Sequence, residues 1–316
     1  MSILVRTAHR LVLALAVLLL PLVARPVGGQ TLKPRTYPAE GISSFSFDSP
    51  SMGVRYDVYV WMPPGVSADA STKLPLLVVT DGATAFEAAV VAARSLVGQG
   101  AIDNLILASI GAPPEDGEAA FTKRRVYEFS PPDWDMKDPF GKMVGGLCAQ
   151  LGSAPGSCTG GARRFLQAIN TELIPLIARS FPVDTAQLGL FGVSAGGFFA
   201  SYVIFEPESR FTRYIISSPA MAYGDDAVFR REARYAETHK DLRAGIYLAS
   251  GTLEMNDPIL EGLGHIASGQ IRLGAMLTSR KYPGLTVQSD ILQGMGHGDG
   301  AGTTLVRGMR LLYAKH

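Results

Sequence analysis

Leu188-Gly-Leu-Phe-Gly-Val-Ser194-Ala-Gly-Gly-Phe-Phe-Ala-Ser-Tyr-Val-Ile-Phe205 joins a short apolar run to a helix-like stretch through Gly192-Val-Ser-Ala-Gly196. A Gly-x-Ser-x-Gly pattern at the junction of a strand and a helix makes a sharp turn that lifts one serine hydroxyl above the sheet edge. The glycines leave room for that turn. Residues 188–191 therefore read as a buried strand, residues 197–205 as a helix, and Ser194 as a candidate nucleophile.

Outward from this point the chain alternates strand and helix patterns. Upstream, residues 43–47 and 54–62 alternate apolar and polar side chains, as expected of antiparallel strands opening a sheet. Residues 75–80 (PLLVVT) and 105–110 are continuous apolar runs, the signature of strands buried on both faces. A turn at Asp81-Gly82-Ala83 and a helix over 86–96 separate them. Residues 162–181 carry apolar side chains at helical spacing, with Pro175 predicting a kink. Downstream, strands are expected at 214–217, 245–249 and 285–292, a mostly helical segment at 258–277, and a closing helix at 303–313. Such alternation implies an α/β fold with a mostly parallel central sheet and helices on both faces. Residues 111–160 break the pattern, with many prolines and glycines and no clear period. A connection of that length in a compact domain is expected to be a lid-like insertion.

The chain of 316 residues has 47% hydrophobic residues, enough for a sizeable core. Arg6 and Arg10 precede an apolar run over 11–23, followed by small residues. This is the layout of a secretory signal peptide over 1–29, cleaved between 24 and 30, leaving a domain over 30–316. The product would be exported, periplasmic or secreted, with no stable membrane span. Cleavage removes three arginines and no acid, turning a formal charge of +1 into about −2. A near-neutral chain without a basic stripe offers nothing to nucleic acid and suits a small-molecule partner. An exported chain meets oxidising conditions, so Cys148 and Cys158 are expected to form a disulfide stapling the loop between them. Two cysteines without nearby histidines do not complete a metal site.

A serine needs a base within reach and a third group to orient that base, following it in the order Ser, Asp or Glu, His. His297, in the glycine-rich segment Gly294-Met-Gly-His-Gly-Asp-Gly300 after the last strand, is the candidate base. Glu254, in Gly251-Thr-Leu-Glu254 after the 245–249 strand, is the candidate acid, and Asp257 is the alternative. Asp257 directly precedes Pro258, where a helix cap also belongs. Ala195 N–H, and Ala83 N–H or its neighbour Gly82, are the candidate oxyanion donors. Within 111–160, Lys123-Arg-Arg125 and aromatic residues including Trp134 could line a pocket for an aryl ester or an acidic substrate, with Arg125 and Trp134 as the candidate substrate contacts. No metal or organic cofactor is called for.

From about Tyr56 to Tyr313 these pieces resemble the esterase-D-like branch of the α/β-hydrolases. The residues carrying the resemblance are Tyr56-Asp-Val-Tyr-Val-Trp-Met-Pro-Pro-Gly65, Thr80-Asp-Gly82, Gly192-Val-Ser-Ala-Gly-Gly197, Ser218-Pro219, Gly251-Thr-Leu-Glu254 and Gly296-His-Gly298. Gly160-Gly-Ala-Arg-Arg-Phe-Leu and Glu172-Leu-Ile-Pro175 are similar to the siderophore-esterase subgroup in particular. The resemblance implies an α/β-hydrolase fold and a serine carboxylic-ester hydrolase with Ser194 as nucleophile, Glu254 as acid and His297 as base. It implies a small-molecule ester substrate, of siderophore or aryl type. Acyl transfer of the mycolyltransferase kind, with an alcohol acceptor in place of water, uses the same nucleophile and is the alternative. A non-catalytic binding module is a third reading. The cysteine-bearing loop departs from the family's usual pattern.

Overall fold

The computed structural model describes residues 41–154 and 156–315; the expected signal peptide lies outside them. An eight-stranded sheet has the order β1-β2-β4-β3-β5-β6-β7-β8. Its members are β1 (Ile42–Ser49), β2 (Val54–Trp61), β3 (Leu74–Val79), β4 (Ile106–Gly111), β5 (Val183–Val193), β6 (Arg213–Ser217), β7 (Ala244–Gly251) and β8 (Leu285–Leu292). β1 pairs antiparallel with β2, and β2 antiparallel with β4. Every pairing from β4 through β3 to β8 is parallel. This is the α/β-hydrolase architecture.

The continuous apolar runs are explained by helices on both faces. Leu76 and Val78 of β3, Leu188 and Leu190 of β5, and Ile246 and Leu248 of β7 join one core cluster. Their neighbours Leu77, Val79, Phe191, Tyr247 and Ala249 point the other way into a second. Helices α1 (Gly82–Gly98) and α9 (His297–Leu312) cover the second face. The first face carries α2 (Gly117–Phe129), α3 (Pro139–Gln150), α4 (Ala162–Ala168), α5 (Ile174–Ser180), α6 (Ala195–Val203), α7 (Ala227–Thr238) and α8 (Ile266–Arg280). Strand order reverses beside β3 and β5. The crevice at the carboxyl ends of such strands is where open α/β sheets hold their ligands.

Several elements differ from the sequence expectation, each for a local reason. Residues 111–160 are not a patternless loop: α2 and α3 lie within them, and Val126, Phe129, Phe140 and Val144 are buried in the first core. The segment thus carries two helices whose inner faces pack on the core. Cys148 and Cys158 are disulfide-bonded with a Cα–Cα distance of 5.9 Å. The kink at Pro175 is a π-helical turn over Ile169–Leu173 between α4 and α5. Proline cannot donate to the carbonyl four residues back and its ring crowds that carbonyl, and a wider turn relieves both. Helix α8 begins only at Ile266, because His265 takes a left-handed φ of 49° and ends the preceding turns. The last helix begins at His297, six positions before the apolar spacing shows it. Buried Gly300 and Gly308 let it approach the sheet, and a Cβ at Gly308 would lie 2.6 Å from Ile215.

Candidate active site

Ser194 sits between β5 and α6 at φ 58°, ψ −116°, a conformation that non-glycine residues adopt only when the surroundings enforce it. The surroundings do so through hydrogen bonds on both sides. Ser194 N–H donates to Ser217 C=O (3.0 Å), and Ser194 C=O accepts from Phe198 N–H (2.8 Å) and Ala220 N–H (3.0 Å). The glycines are required by close approach: a Cβ on Gly192 would lie 2.1 Å from Gly196 O, and one on Gly196 would lie 2.5 Å from Thr80 Oγ1.

Glu254 and His297 are brought into contact. Glu254 Oε1 lies 2.5 Å from His297 Nδ1. The other carboxylate oxygen accepts from Gly251 N–H (2.5 Å) and from Ser218 Oγ (2.9 Å). Glu254 is 1% exposed, so its charge is held by these donors rather than by water. The loops bearing acid and base are laced together. Leu253 N–H donates to Met295 C=O (3.0 Å) and Gly294 N–H to Thr252 Oγ1 (2.9 Å). Asp257 is placed otherwise. Its Oδ1 accepts from Leu260 N–H and Ile259 N–H, each 2.8 Å. Those amides, Leu260's first, lower its pKa below the ordinary aspartate value, and it caps the turn rather than bonding the imidazole.

The candidate oxyanion donors are both helix-start amides. Ala195 opens α6, and Ala83 follows Gly82 at the start of α1. First-turn N–H groups have no intrahelical acceptor and favour negative charge. Ser109 Oγ donates to Gly82 C=O (2.7 Å), and in a trans peptide this turns Ala83 N–H to the opposite side. Gly111 packs directly against this turn: a Cβ there would lie 2.5 Å from Gly82 Cα.

Arg125 reaches the same place from α2, but not as a free cation. Its Nε lies 2.5 Å from Asp81 Oδ1, and Nη2 donates to Asp81 Oδ2 (3.3 Å) and to Val193 C=O (3.0 Å). Burial disfavours the charged guanidinium, and the adjoining Asp81 carboxylate outweighs it and holds the charge. Arg125 thereby ties the β3–α1 turn to the peptide before Ser194. Trp134 is in the core, not at the site. It is 8% exposed, packs on Phe140 and Tyr223, and donates from Nε1 to Asp138 (2.7 Å). Ser109 carried no signal in the sequence, and Asp81 carried one only as part of its turn motif. Ser218-Pro219 stood out only as part of a motif, and nothing in a linear sequence says that its hydroxyl meets Glu254.

Ser194, His297, Asp81 and Arg125 line one groove of about 640 Å³ between α1 and α9. Among the described residues, no cluster of His, Cys, Asp and Glu is placed to hold a metal, and no helix is long and apolar enough to cross a membrane.

Comparison with known proteins agrees with this architecture. Residues 148–261 match the Esterase family, described as "Putative esterase". The chain is 27% identical over 190 residues to a siderophore triacetylfusarinine C esterase of Aspergillus fumigatus, covering 58% of each chain. It is 30% identical over 132 residues to a siderophore enterobactin esterase of Emericella nidulans, covering 41% of this chain and 40% of that one. The matched stretches thus span less than two thirds of these relatives. Among solved structures, the BES protein from Bacillus cereus superposes with a TM-score of 0.73 at 23% identity, covering 90% of this chain and all of that one. Siderophore hydrolase EstA from Aspergillus nidulans gives 0.74 at 21% identity, covering 90% and 99%. The family match over residues 148–261 and the similarity to these relatives point to a carboxylic-ester hydrolase, and the solved structures show the α/β-hydrolase fold.

Proposed function

We propose that the protein is a serine carboxylic-ester hydrolase working through an acyl-enzyme, with Ser194, Glu254 and His297 as its triad. The observation that carries this is the buried Glu254 carboxylate on His297 Nδ1, beside a groove that also holds the strained Ser194. A carboxylate on Nδ1–H leaves Nε2 unprotonated and able to accept a proton. Ser194 Oγ attacks the ester carbonyl and passes its proton to His297, and Glu254 stabilises the imidazolium. The Ala195 and Ala83 amides receive the oxyanion. Collapse expels the alcohol, which takes the proton from His297. Water, deprotonated by the same imidazole, then releases the acid and regenerates Ser194. The relatives support a small-molecule ester of siderophore type as the substrate, with an aryl ester as the related alternative. The Cys148–Cys158 bond supports an exported protein, periplasmic or secreted.

The test is a matched assay of the wild type and Ser194→Ala on p-nitrophenyl esters with a catecholate trilactone alongside. Release that disappears in a folded Ser194→Ala supports the proposal. Wild-type-like release by that variant, or none by the wild type from any ester, overturns it. An added alcohol that diverts the acyl group from water would mark a transferase.

A further inference from the structure

The groove beside Ser194 differs chemically from what a basic Lys-Arg-Arg segment leads one to expect. Its walls are small and apolar: Ala85 and Ala88 from α1, Ala301 and Leu305 from α9, with Phe191 and Phe121 closing it. Ala85 and Ala88 are three residues apart, and Ala301 and Leu305 four, so each pair presents one helix face. Small side chains on both helices are what keep the groove open. The ionisable side chains that line it are Asp81, Arg125, Asp299 and His297. Arg125 is ion-paired with Asp81 through Nε and Nη2, and Nη2 also donates to Val193 C=O, while Asp299 uses Oδ1 to accept from Gly296 N–H (2.8 Å). An anionic group placed here meets two carboxylates, and the one arginine beside them is already ion-paired with Asp81. Desolvating a charge without a partner is costly, whereas an apolar chain gains by leaving water.

We infer that this groove is a subsite for an uncharged, apolar arm of the ester, and that it discriminates against an anionic arm. The inference rests on the ester-hydrolase reading above. The arm is bonded to a carbonyl held at Ser194, so it runs between α1 and α9 along the Ala85–Ala88 and Ala301–Leu305 faces.

The experiment measures kcat/KM for p-nitrophenyl acetate, butyrate and hexanoate, and for mono-p-nitrophenyl adipate as the anionic counterpart of the hexanoate. Ethyl and hexyl acetate vary the alcohol arm instead. Two variants change the wall at the open rim: Ala88→Trp fills the groove and Ala88→Lys supplies a cation. Circular dichroism and melting curves verify that both fold. In the wild type, kcat/KM rises with chain length in one of the two series, by up to about fourfold per buried methylene, and hexanoate exceeds adipate at least tenfold. Ala88→Trp lowers the long-to-short ratio in that series at least tenfold, which also tells whether the acyl or the alcohol arm occupies the groove. Ala88→Lys raises the adipate-to-hexanoate ratio. Ser194-dependent hydrolysis without chain-length gain in either series, or with adipate favoured by the wild type, overturns the subsite and leaves the hydrolase reading standing. Hydrolysis that survives Ser194→Ala, or none at all, overturns both.

Discussion

Glu254→Gln is the substitution whose effect the geometry specifies most closely. The carboxylate meets three donors: His297 Nδ1–H on one oxygen, and Gly251 N–H and Ser218 Oγ on the other. An amide has one acceptor end and one donor end. With its carbonyl toward Gly251 and Ser218, its NH2 faces Nδ1, and every partner is satisfied once the imidazole shifts its proton to Nε2. The reverse placement sets a buried NH2 against the Gly251 N–H, costing about 1–3 kcal/mol for the unmet donors. The first orientation is therefore favoured roughly 5- to 150-fold. It leaves His297 with Nε2 protonated, unable to take the proton of Ser194. Inverting the tautomer in this way lowers kcat by about 10⁴ in a serine triad, while substrate binding and folding change little. Steady-state kinetics on p-nitrophenyl butyrate, with a melting curve for each protein, would show it. A folded Glu254→Gln enzyme retaining more than a tenth of wild-type kcat would refute the argument that Glu254 sets the tautomer.

Arg125→Lys keeps a cation but loses the planar fork that reaches both Asp81 and Val193 C=O. It should lower kcat about 10- to 100-fold, the scale of a small misplacement of reacting groups, with KM nearly unchanged; a KM effect alone would instead mark Arg125 as a substrate contact. Replacing Cys148 and Cys158 together by alanine opens a loop of sequence separation 10 and should cost about 2.7 kcal/mol in the chain-entropy account. That corresponds to roughly 5 °C in Tm for a domain of this size, and an unchanged melting curve would count against it. Burial raises the pKa of Glu128 above the ordinary glutamate value, although Arg124 and Tyr56 pull it back. A raised folded value means that its stabilisation is full below the unfolded pKa, about 4.3, and is lost as pH rises through the folded value. The stability of the wild type relative to Glu128→Gln, followed by denaturant unfolding, should therefore fall as pH rises from 4; a constant or rising difference would contradict it.

Elements with strong local signals were legible in the chain. The β3, β4 and β7 runs stand out because strands buried on both faces need apolar residues at every position. The Ser194 turn stands out because glycines must flank it, as the 2.1 Å approach at Gly192 makes concrete. Helices α2 and α3 and the start of α9 were not legible. The glycines of α3 and of the first turns of α9 lower helical preference, and α2 buries only Val126, Glu128 and Phe129, too few positions for an apolar period to show.

The linear sequence by itself determined the alternating layers, the turn that presents Ser194, and which acidic and imidazole side chains follow it in chain order. The sequence favoured Glu254 over Asp257, which precedes Pro258 where a cap belongs, and the tertiary structure added what no sequence shows: Glu254 touches His297 while Asp257 caps a turn. The choice depends on which one meets His297 across loops 43 residues apart. The fold likewise turned Arg125 from a free cation into a tie between Asp81 and the Ser194 turn, and moved Trp134 from a pocket wall into the core. Charge and aromaticity are properties of a residue, but whether they face a substrate depends on partners that folding brings from elsewhere in the chain.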